Sequence, residues 1–472
     1  VTGPTLAQSI DFLRVPTLET LAIACGALPL ALVVGAPAAL LIVRGGPLGG
    51  IVRVLAALVR AIPELVLAIV FVVAIGFGPA AGSLALGISG AATIARLYAE
   101  LLQAVPRGPE ESLRATGAAP SVAFLVGLLP AAWPGLVGFA AYAFESIVRA
   151  AVIVGVVGAG GLGAALITSL NLLDYRGFAG YVGVLVGLVL AVDVASGYLR
   201  TRAPAWLPIA VFVGITVIGA AAFAASGTPL AAFAEAPGHV ARYLLRAWPP
   251  DFTPAVRRLA GPALAETLWV AVVGTLAGAL LAVPLAAAVS AFVARGWMRG
   301  TGYRPWSLVP QTLGRSFAAI GRAVPPVALA LVAVTFVGLG PSAGAFALAL
   351  HTTGVLGKLF AESLELADLG PAEALVAGGA SATSAIAVGL MPGAFQAAAA
   401  HVLYRFEWNV RASTTLGIVG AGGIGQQIFQ AQQLFHDREL SAYVTLAVGL
   451  VLVTELATVF FWRRVAIRTL AR

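Results

Sequence analysis

The sequence predicts an all-α polytopic membrane protein built as a tandem parallel repeat, with about eleven transmembrane helices. Of the 472 residues, 60% are hydrophobic and only 10% charged. The apolar runs are continuous over about twenty residues, the length that crosses a bilayer, and the chain repeats itself at a fixed offset. An ordinary soluble domain is roughly 45–50% apolar and about 25% charged. The composition excludes one and makes lipid the solvent for most of the chain. A barrel strand shows only about ten alternating residues, so the spans are helices.

Apolar runs place spans near residues 17–43, 61–77, 80–104, 130–157 and 179–199 in a first copy, and near 264–293, 324–339, 341–364, 392–419 and 440–462 in a second. The first run has no basic segment before it and is too long for a signal peptide, which reads as a retained span. A further run, Trp206 to Ser226, precedes the second copy. An odd helix there is required, because parallel five-helix copies would otherwise insert upside down relative to each other. The expected division is a first repeat at 1–203 and a second at 204–472, the latter opening with the additional helix 206–226 and an external segment 227–263. The Pro-rich core of that segment, Trp248-Pro249-Pro250-Asp251, reads as an ordered cap or short interfacial helix, or as a partner contact.

The repeat is legible residue by residue. A shift of 262 carries Arg60-Ala61-Ile62-Pro63 onto Arg322-Ala323-Val324-Pro325, Gly78-Pro79 onto Gly340-Pro341 and Ala99-Glu100 onto Ala361-Glu362. It carries Glu145 and Arg149 onto Glu407 and Arg411 without a gap. The earlier pair Glu19-Thr20 meets Glu266-Thr267 at a shift of 247, which puts about fifteen extra residues in the second copy around Trp297 to Gly314. Gly183 with Gly187, and Gly274 with Gly278, have the spacing of close-packing small residues in membrane helices.

Net charge is +8, from 28 basic and 20 acidic residues, and the basic residues lie mostly between apolar runs. Placing the loop after the first span in the cytoplasm puts eighteen basic residues inside, including Arg44, Arg53, Arg60, Arg200, Arg202, Arg295, Arg299 and the tail Arg463, Arg464, Arg468 and Arg472. Seven then lie outside, among them Arg242, Arg246, Arg257 and Arg258, while Arg149, Arg405 and Arg411 fall within a span, and the positive-inside bias orients the chain with its C-terminus in the cytoplasm. That distribution gives no nucleic-acid patch. The single cysteine, Cys25, and the scattered His239, His351, His401 and His436 offer no metal spacing.

Between the third and fourth spans each copy carries a short polar helix with one punctuation. Glu111, Gly117 and Pro130 in the first copy have the spacing of Glu373, Gly379 and Pro392 in the second: six residues from Glu to Gly and thirteen from Gly to Pro. Here the sequence resembles the permease subunits of type I ABC importers, whose "EAA" loop has this Glu, Gly and Leu-Pro pattern. The resemblance implies a coupling helix that docks on an ATPase subunit. The first copy departs from the pattern at Ser112 and Leu113, where the family usually has two alanines.

Gly158, Gly160, Gly161 and Gly163, and their repeats Gly420, Gly422, Gly423 and Gly425, form a G-x-G-x-x-G pattern that lacks the βαβ context of a dinucleotide site. They fall at the expected external end of a span, where glycine lets a helix break. The stretches Tyr404 to Ala412, Leu416 to Gln426 and Leu350 to Glu362 are similar to the phosphonate transporter permease family. That likeness covers nearly all of 206–472 and, more loosely, 17–200, with Ser89 at the His351 position and Arg96 at the Lys358 position. Relatives that import methionine or osmoprotectants share the glycine run.

Glu145 with Arg149 and Glu407 with Arg411 are i, i+4 pairs inside spans. Intramembrane charge marks a functional hypothesis. Two readings stand: each Glu neutralises its own Arg and holds the bundle, or the two arginines line a polar path for a phosphorus oxyanion. His351 reads as a hydrogen-bonded packing residue or as part of that path.

The resemblance implies a permease subunit, not an enzyme, of an ATP-driven, binding-protein-dependent importer for phosphonate, phosphite, hypophosphite or phosphate. It carries no cofactor itself, and no G-x-x-x-x-G-K-[ST] loop is present. ATP and Mg would belong to two copies of a partner ABC ATPase, and one extracytoplasmic binding protein would deliver substrate at a bacterial cytoplasmic (inner) membrane. D-methionine or osmoprotectant import is the alternative within that class. An ion-coupled secondary transporter is the alternative outside it.

Overall fold

The computed structural model describes residues 6–201, 206–225, 231–290, 308–381 and 384–470, and among them every regular element is helical. The chain divides into two compact units, Val1–Trp248 and Pro249–Arg472. In the first, a long helix α1 (Leu6–Arg44) is followed by α2 (Gly46–Ala61), α3 (Glu64–Ile75), α4 (Pro79–Ala104) and the short α5 (Gly108–Ala115). A turn of helix, α6 (Pro120–Ala123), and a π-helical stretch, Phe124–Leu128, lead into α7 (Leu129–Val154). After the glycine run come α8 (Gly161–Asn171), α9 (Tyr175–Thr201), α10 (Leu207–Ala225) and α11 (Ala231–Ala247).

The second unit repeats the order. It runs α12 (Pro254–Val289), α13 (Leu308–Ala323), α14 (Pro326–Val337), α15 (Pro341–Glu365), the short α16 (Gly370–Ala377), α17 (Met391–Leu416), α18 (Ile424–Gln433) and α19 (Asp437–Leu470). Trp297, Arg295, Arg299, Arg202 and Arg472, and the expected fifteen-residue insertion for most of its length, lie outside the described residues.

Each unit is organised by one helix pair, α1 with α4 and α12 with α15. Small residues bring these backbones together. A Cβ on Gly35 would meet the Ala91 carbonyl, and Gly87 and Gly90 lie against Leu30 and Ala31. In the second unit Gly274 and Gly278 lie against Leu348 and Thr352. Gly183 and Gly187 face open space, so the close-packing expectation holds for the second glycine pair and not for the first. The core at one end of the first unit gathers Ala39, Ile94, Tyr98, Leu128 and Leu136, with the Tyr98 hydroxyl donating to the Leu136 carbonyl at 3.1 Å.

Among the described residues, eight helices have the length and apolarity to cross a membrane, and two bent pairs bring the number to ten. The run expected at 392–419 forms α17, a helix of full length that also carries Arg405, Glu407 and Arg411. The runs expected as continuous spans at 61–77 and 324–339 are instead α3 and α14, of twelve residues each. Twelve residues reach about 18 Å, well short of a hydrocarbon core of about 30 Å. Each follows an amphipathic helix across a bend, 89° between α2 and α3 and 95° between α13 and α14. The cause is Pro63 and Pro325: a proline pushes the preceding residue out of the helical region, and Ile62 sits at ψ 124°.

Two other expected boundaries move. α12 starts at Pro254, capped by the Thr253 hydroxyl, so Arg257 and Arg258 lie on its first turns and not in a loop. The expected external segment contains the helix α11, with Trp248 exposed just beyond it. The additional helix α10 packs on α1 within the first unit, whereas the sequence division put it at the head of the second repeat. Gly219 explains the docking: a Cβ there would lie 2.8 Å from the Cys25 backbone.

Candidate functional site

Three pieces of each unit carry the residues singled out by sequence. The first is the short helix. Pro109 and Pro371 occupy the first turns of α5 and α16, where a missing N–H costs nothing. Both helices end on a left-handed glycine, Gly117 at φ 87° and Gly379 at φ 86°. Gly117 N donates to Arg114 O and Ala118 N to Leu113 O; Gly379 N donates to Val376 O and Ala380 N to Leu375 O. That paired closure is the Schellman motif, and it requires the positive φ that glycine supplies cheaply. The spacing from Glu to Gly is thus the length of the helix plus its stop.

Glu111 and Glu373 are exposed on these helices, while Glu110 is 4% exposed and paired with Arg114 at 2.6 Å. Two glycines that sequence reasoning missed seat the short helices. A Cβ on Gly127 would sit 2.8 Å from the Glu110 backbone, and one on Gly389 would sit 2.6 Å from that of Ala372. Gly127 and Gly389 are themselves 262 apart, which was the available signal. Pro130 and Pro392 open α7 and α17 directly after the π-helical stretches. Backbone contact thus joins each short helix to the start of a long one.

The second piece is the glycine run. α4 packs along α7, and the run follows the end of α7 remote from α5. Gly158, Gly160 and Gly161 have φ 108°, 87° and 73°, and Gly420, Gly422 and Gly423 have φ 93°, 74° and 77°. Gly78 N donates to Gly158 O at 3.0 Å and Gly340 N to Gly420 O at 2.8 Å, which ties the run to the start of α4 or α15. A Cβ on Gly163 or Gly425 would run into the carbonyl of Val152 or Thr414. The N–H groups that open α8 and α18 point at side chains of α1 and α12. Glu19 Oε2 accepts from Gly161 N and Thr20 Oγ1 from Leu162 N; Glu266 Oε2 accepts from Gly423 N and Thr267 Oγ1 from Ile424 N. Sequence reasoning used this Glu-Thr pair only to set the repeat register.

The third piece is intramembrane charge. Arg149 pairs with Glu145, and Arg411 with Glu407 at 2.8 Å, all four side chains being mostly buried. Next to the second pair lies a buried polar cluster. Arg405 is 4% exposed, donates to Asn409 Oδ1 at 3.3 Å and lies 4.2 Å from the Trp408 ring centre. Asn409 donates to Thr275 Oγ1 at 2.8 Å and Thr352 Oγ1 at 3.1 Å. His351 stacks on Trp408 and its Nδ1 lies 3.0 Å from the Gly321 carbonyl. The repeat puts Leu28, Gly90, Ala143 and Ile147 at the positions of Thr275, Thr352, Arg405 and Asn409. The two units share their glycine and proline skeleton and differ in this cluster.

The family model described as "Binding-protein-dependent transport system inner membrane component" matches residues 28–205 and again 301–470. The chain belongs to that family. Both matches are to one model, so the duplication seen in sequence and fold is a duplication of the family's inner membrane component, a multi-pass membrane protein. The phosphate-import permease protein PhnE of Mycolicibacterium smegmatis is 32% identical over 431 residues, covering 88% of this chain and 78% of that protein. The phosphite transport system permease protein PtxC of Stutzerimonas stutzeri is 36% identical over 189 residues, 39% of this chain and 69% of that protein. A solved inward-facing form of the MetNI methionine ABC transporter is 27% identical over 42% of this chain and 99% of that one, with a TM-score of 0.38.

Proposed function

We propose that this chain is the membrane-spanning subunit of an ATP-driven importer for phosphorus oxyanions, two permease units in one polypeptide. The observation that carries the substrate class is the match to a phosphate-import permease across 88% of the chain, which takes in both units. The match to a phosphite permease points to the same class.

In this reading α5 and α16 face the cytoplasm and dock on two ATPase subunits, with Glu111 and Glu373 as exposed contacts. Gly117 and Gly379 fix the end of each lever. Gly127, Gly389, Pro130 and Pro392 pass its movement to α7 and α17, because a short helix held by backbone contact cannot yield without moving its support. The glycine runs form the external mouths, where a binding protein delivers the anion. Arg149 and Arg411, each keeping donors beyond its glutamate, attract the anion along the path, and His351 lies on a neighbouring helix within the same unit as Arg411. ATP and Mg act in the partner subunits, and the C-terminus is cytoplasmic by the positive-inside bias.

The test is uptake of labelled phosphate, phosphite and methylphosphonate by cells lacking the chain and by cells with it restored. Restoration of uptake for at least one of these oxyanions supports the substrate class, and restoration of methionine uptake alone overturns it.

A further inference from the structure

The helix α11 has no counterpart among the described residues of the second unit. Both its neighbours along the chain are long and apolar enough to cross a membrane. α10, before it, leaves Ile209, Val213, Val217 and Ile218 exposed, the kind of surface that lipid solvates. Five residues join α10 to α11, a reach of at most about 20 Å. At the other end six residues lead to α12, a helix of 36 residues. α11 itself has seventeen residues and is about 25 Å long. Tethered this closely to a span at each end, it stays near the bilayer surface.

At 3.6 residues per turn the helix has three faces. Ala236, Tyr243 and Ala247 form the first; all three are buried, and α11 packs on α3. Leu245 lies opposite Tyr243, with Leu244 and Trp248 along the edge beside it. These three are exposed, and the Trp248 amide still donates to the Leu244 carbonyl at 3.1 Å, so the tryptophan continues the helix. Glu235, Arg242 and Arg246 form the third face, which is exposed and polar. Two leucines and a tryptophan held in water cost free energy. In a lipid interface they enter the acyl chains while the charges stay at headgroup level. Tryptophan is enriched at that boundary, and an arginine stem covers apolar surface while its guanidinium reaches phosphate and water.

We propose that α11 lies in the membrane–water interface, with Leu244, Leu245 and Trp248 among phospholipid acyl chains and Arg242 at the phosphate headgroups, and that it anchors the first unit to the bilayer surface. The tethers decide the occupant of the exposed face: held this close to two spans, it meets lipid in the chain alone, before any protein partner arrives. The anchor bears on α3, a helix too short to span. Ala74 and Ile75 at the end of α3 are half-buried, whereas Phe336 and Val337 at the repeated positions of α14 are exposed. Which side of the membrane carries α11 rests on the orientation proposed above; its depth does not.

The test uses the full chain with Cys25→Ala, which removes its single thiol. It is spin-labelled at Arg242→Cys, Leu244→Cys or Leu245→Cys, one at a time, and reconstituted without other proteins in nanodiscs of phosphatidylcholine and phosphatidylglycerol. Electron paramagnetic resonance then reads collisions with oxygen, which partitions into lipid, and with a water-soluble nickel chelate. Labels at 244 and 245 are expected to favour oxygen several-fold, as a label at Val213→Cys on α10 does, and the label at 242 to favour the chelate. Labels at 244 and 245 that favour the chelate as the one at 242 does overturn the proposal and leave the face to a protein partner. A second reading needs no label. The Trp248 emission, taken as wild type minus Trp248→Phe, is expected to be quenched by phosphatidylcholine with brominated acyl chains. An unquenched Trp248 overturns the proposal even where a labelled variant fails to fold. Neither reading involves uptake, so this inference and the importer reading fail separately.

Discussion

Glu19 Oε2 accepts a hydrogen bond from Gly161 N at 2.6 Å, and Glu266 accepts the same bond from Gly423 at 2.8 Å. The carboxylate occupies the positive end of a short helix and fixes the glycine run to the first long helix of its unit. Removing it leaves N–H groups without their acceptor. Glu19→Ala and Glu266→Ala are each expected to lower stability by about 1 kcal/mol, as loss of a helix cap does. Glu→Gln keeps an acceptor and costs less. Thermal unfolding of the purified chain checks the order Ala below Gln below wild type, and equal unfolding temperatures would remove the cap from the account.

The stop of the short helix is expected to be sensitive at the residues that touch nothing. Gly117→Ala and Gly379→Ala place a side chain at φ near 87° and cost about 1 kcal/mol each. Gly127→Ala and Gly389→Ala force the short helix off its seat and should abolish uptake while the chain still reaches the membrane. Membrane abundance by immunoblot beside uptake measures both; full uptake in Gly127→Ala would contradict the seat.

Asn409 is fully buried and bridges Thr275 and Thr352. Asn409→Leu removes the bridge and takes from the buried Arg405 the Oδ1 that accepts from it, a loss of about 1–3 kcal/mol. The same change has no counterpart in the first unit, where Ile147 already fills the site. Ile147→Val there should cost only about 1 kcal/mol. Unfolding of the two variants side by side tests whether the asymmetry is energetic.

The Glu/Arg pairs separate two roles. Arg149→Gln strands a mostly buried carboxylate, so lost uptake in that variant mixes folding with transport. Glu145→Gln with Arg149→Gln, made together with Glu407→Gln and Arg411→Gln, removes all four charges at once. Uptake should fall to background in that variant while the chain remains folded by thermal unfolding. Retained uptake would reduce the pairs to packing.

Composition and repeat made the helices, their doubling and the short polar helix legible, because each leaves a local mark: an apolar run, an offset, a glycine stop. The half-length helices were not legible by length of run, since Leu65 to Ile75 is as apolar as a true span and only Pro63 marks the bend. Glu19 with Gly161 are 142 residues apart, and nothing local to either announces the other. Arg405 was visible as an intramembrane charge, but its neighbours come from three helices. The side on which α10 packs depends on Gly219 meeting Cys25, which apolarity alone does not encode.

The most direct measurement is energy-dependent uptake of labelled phosphate, phosphite or methylphosphonate by cells expressing the chain. The account predicts uptake that needs ATP, survives collapse of the ion gradient by an ionophore, and is lost in Glu111→Ala with Glu373→Ala. Uptake that persists without ATP and disappears with the ion gradient would contradict it.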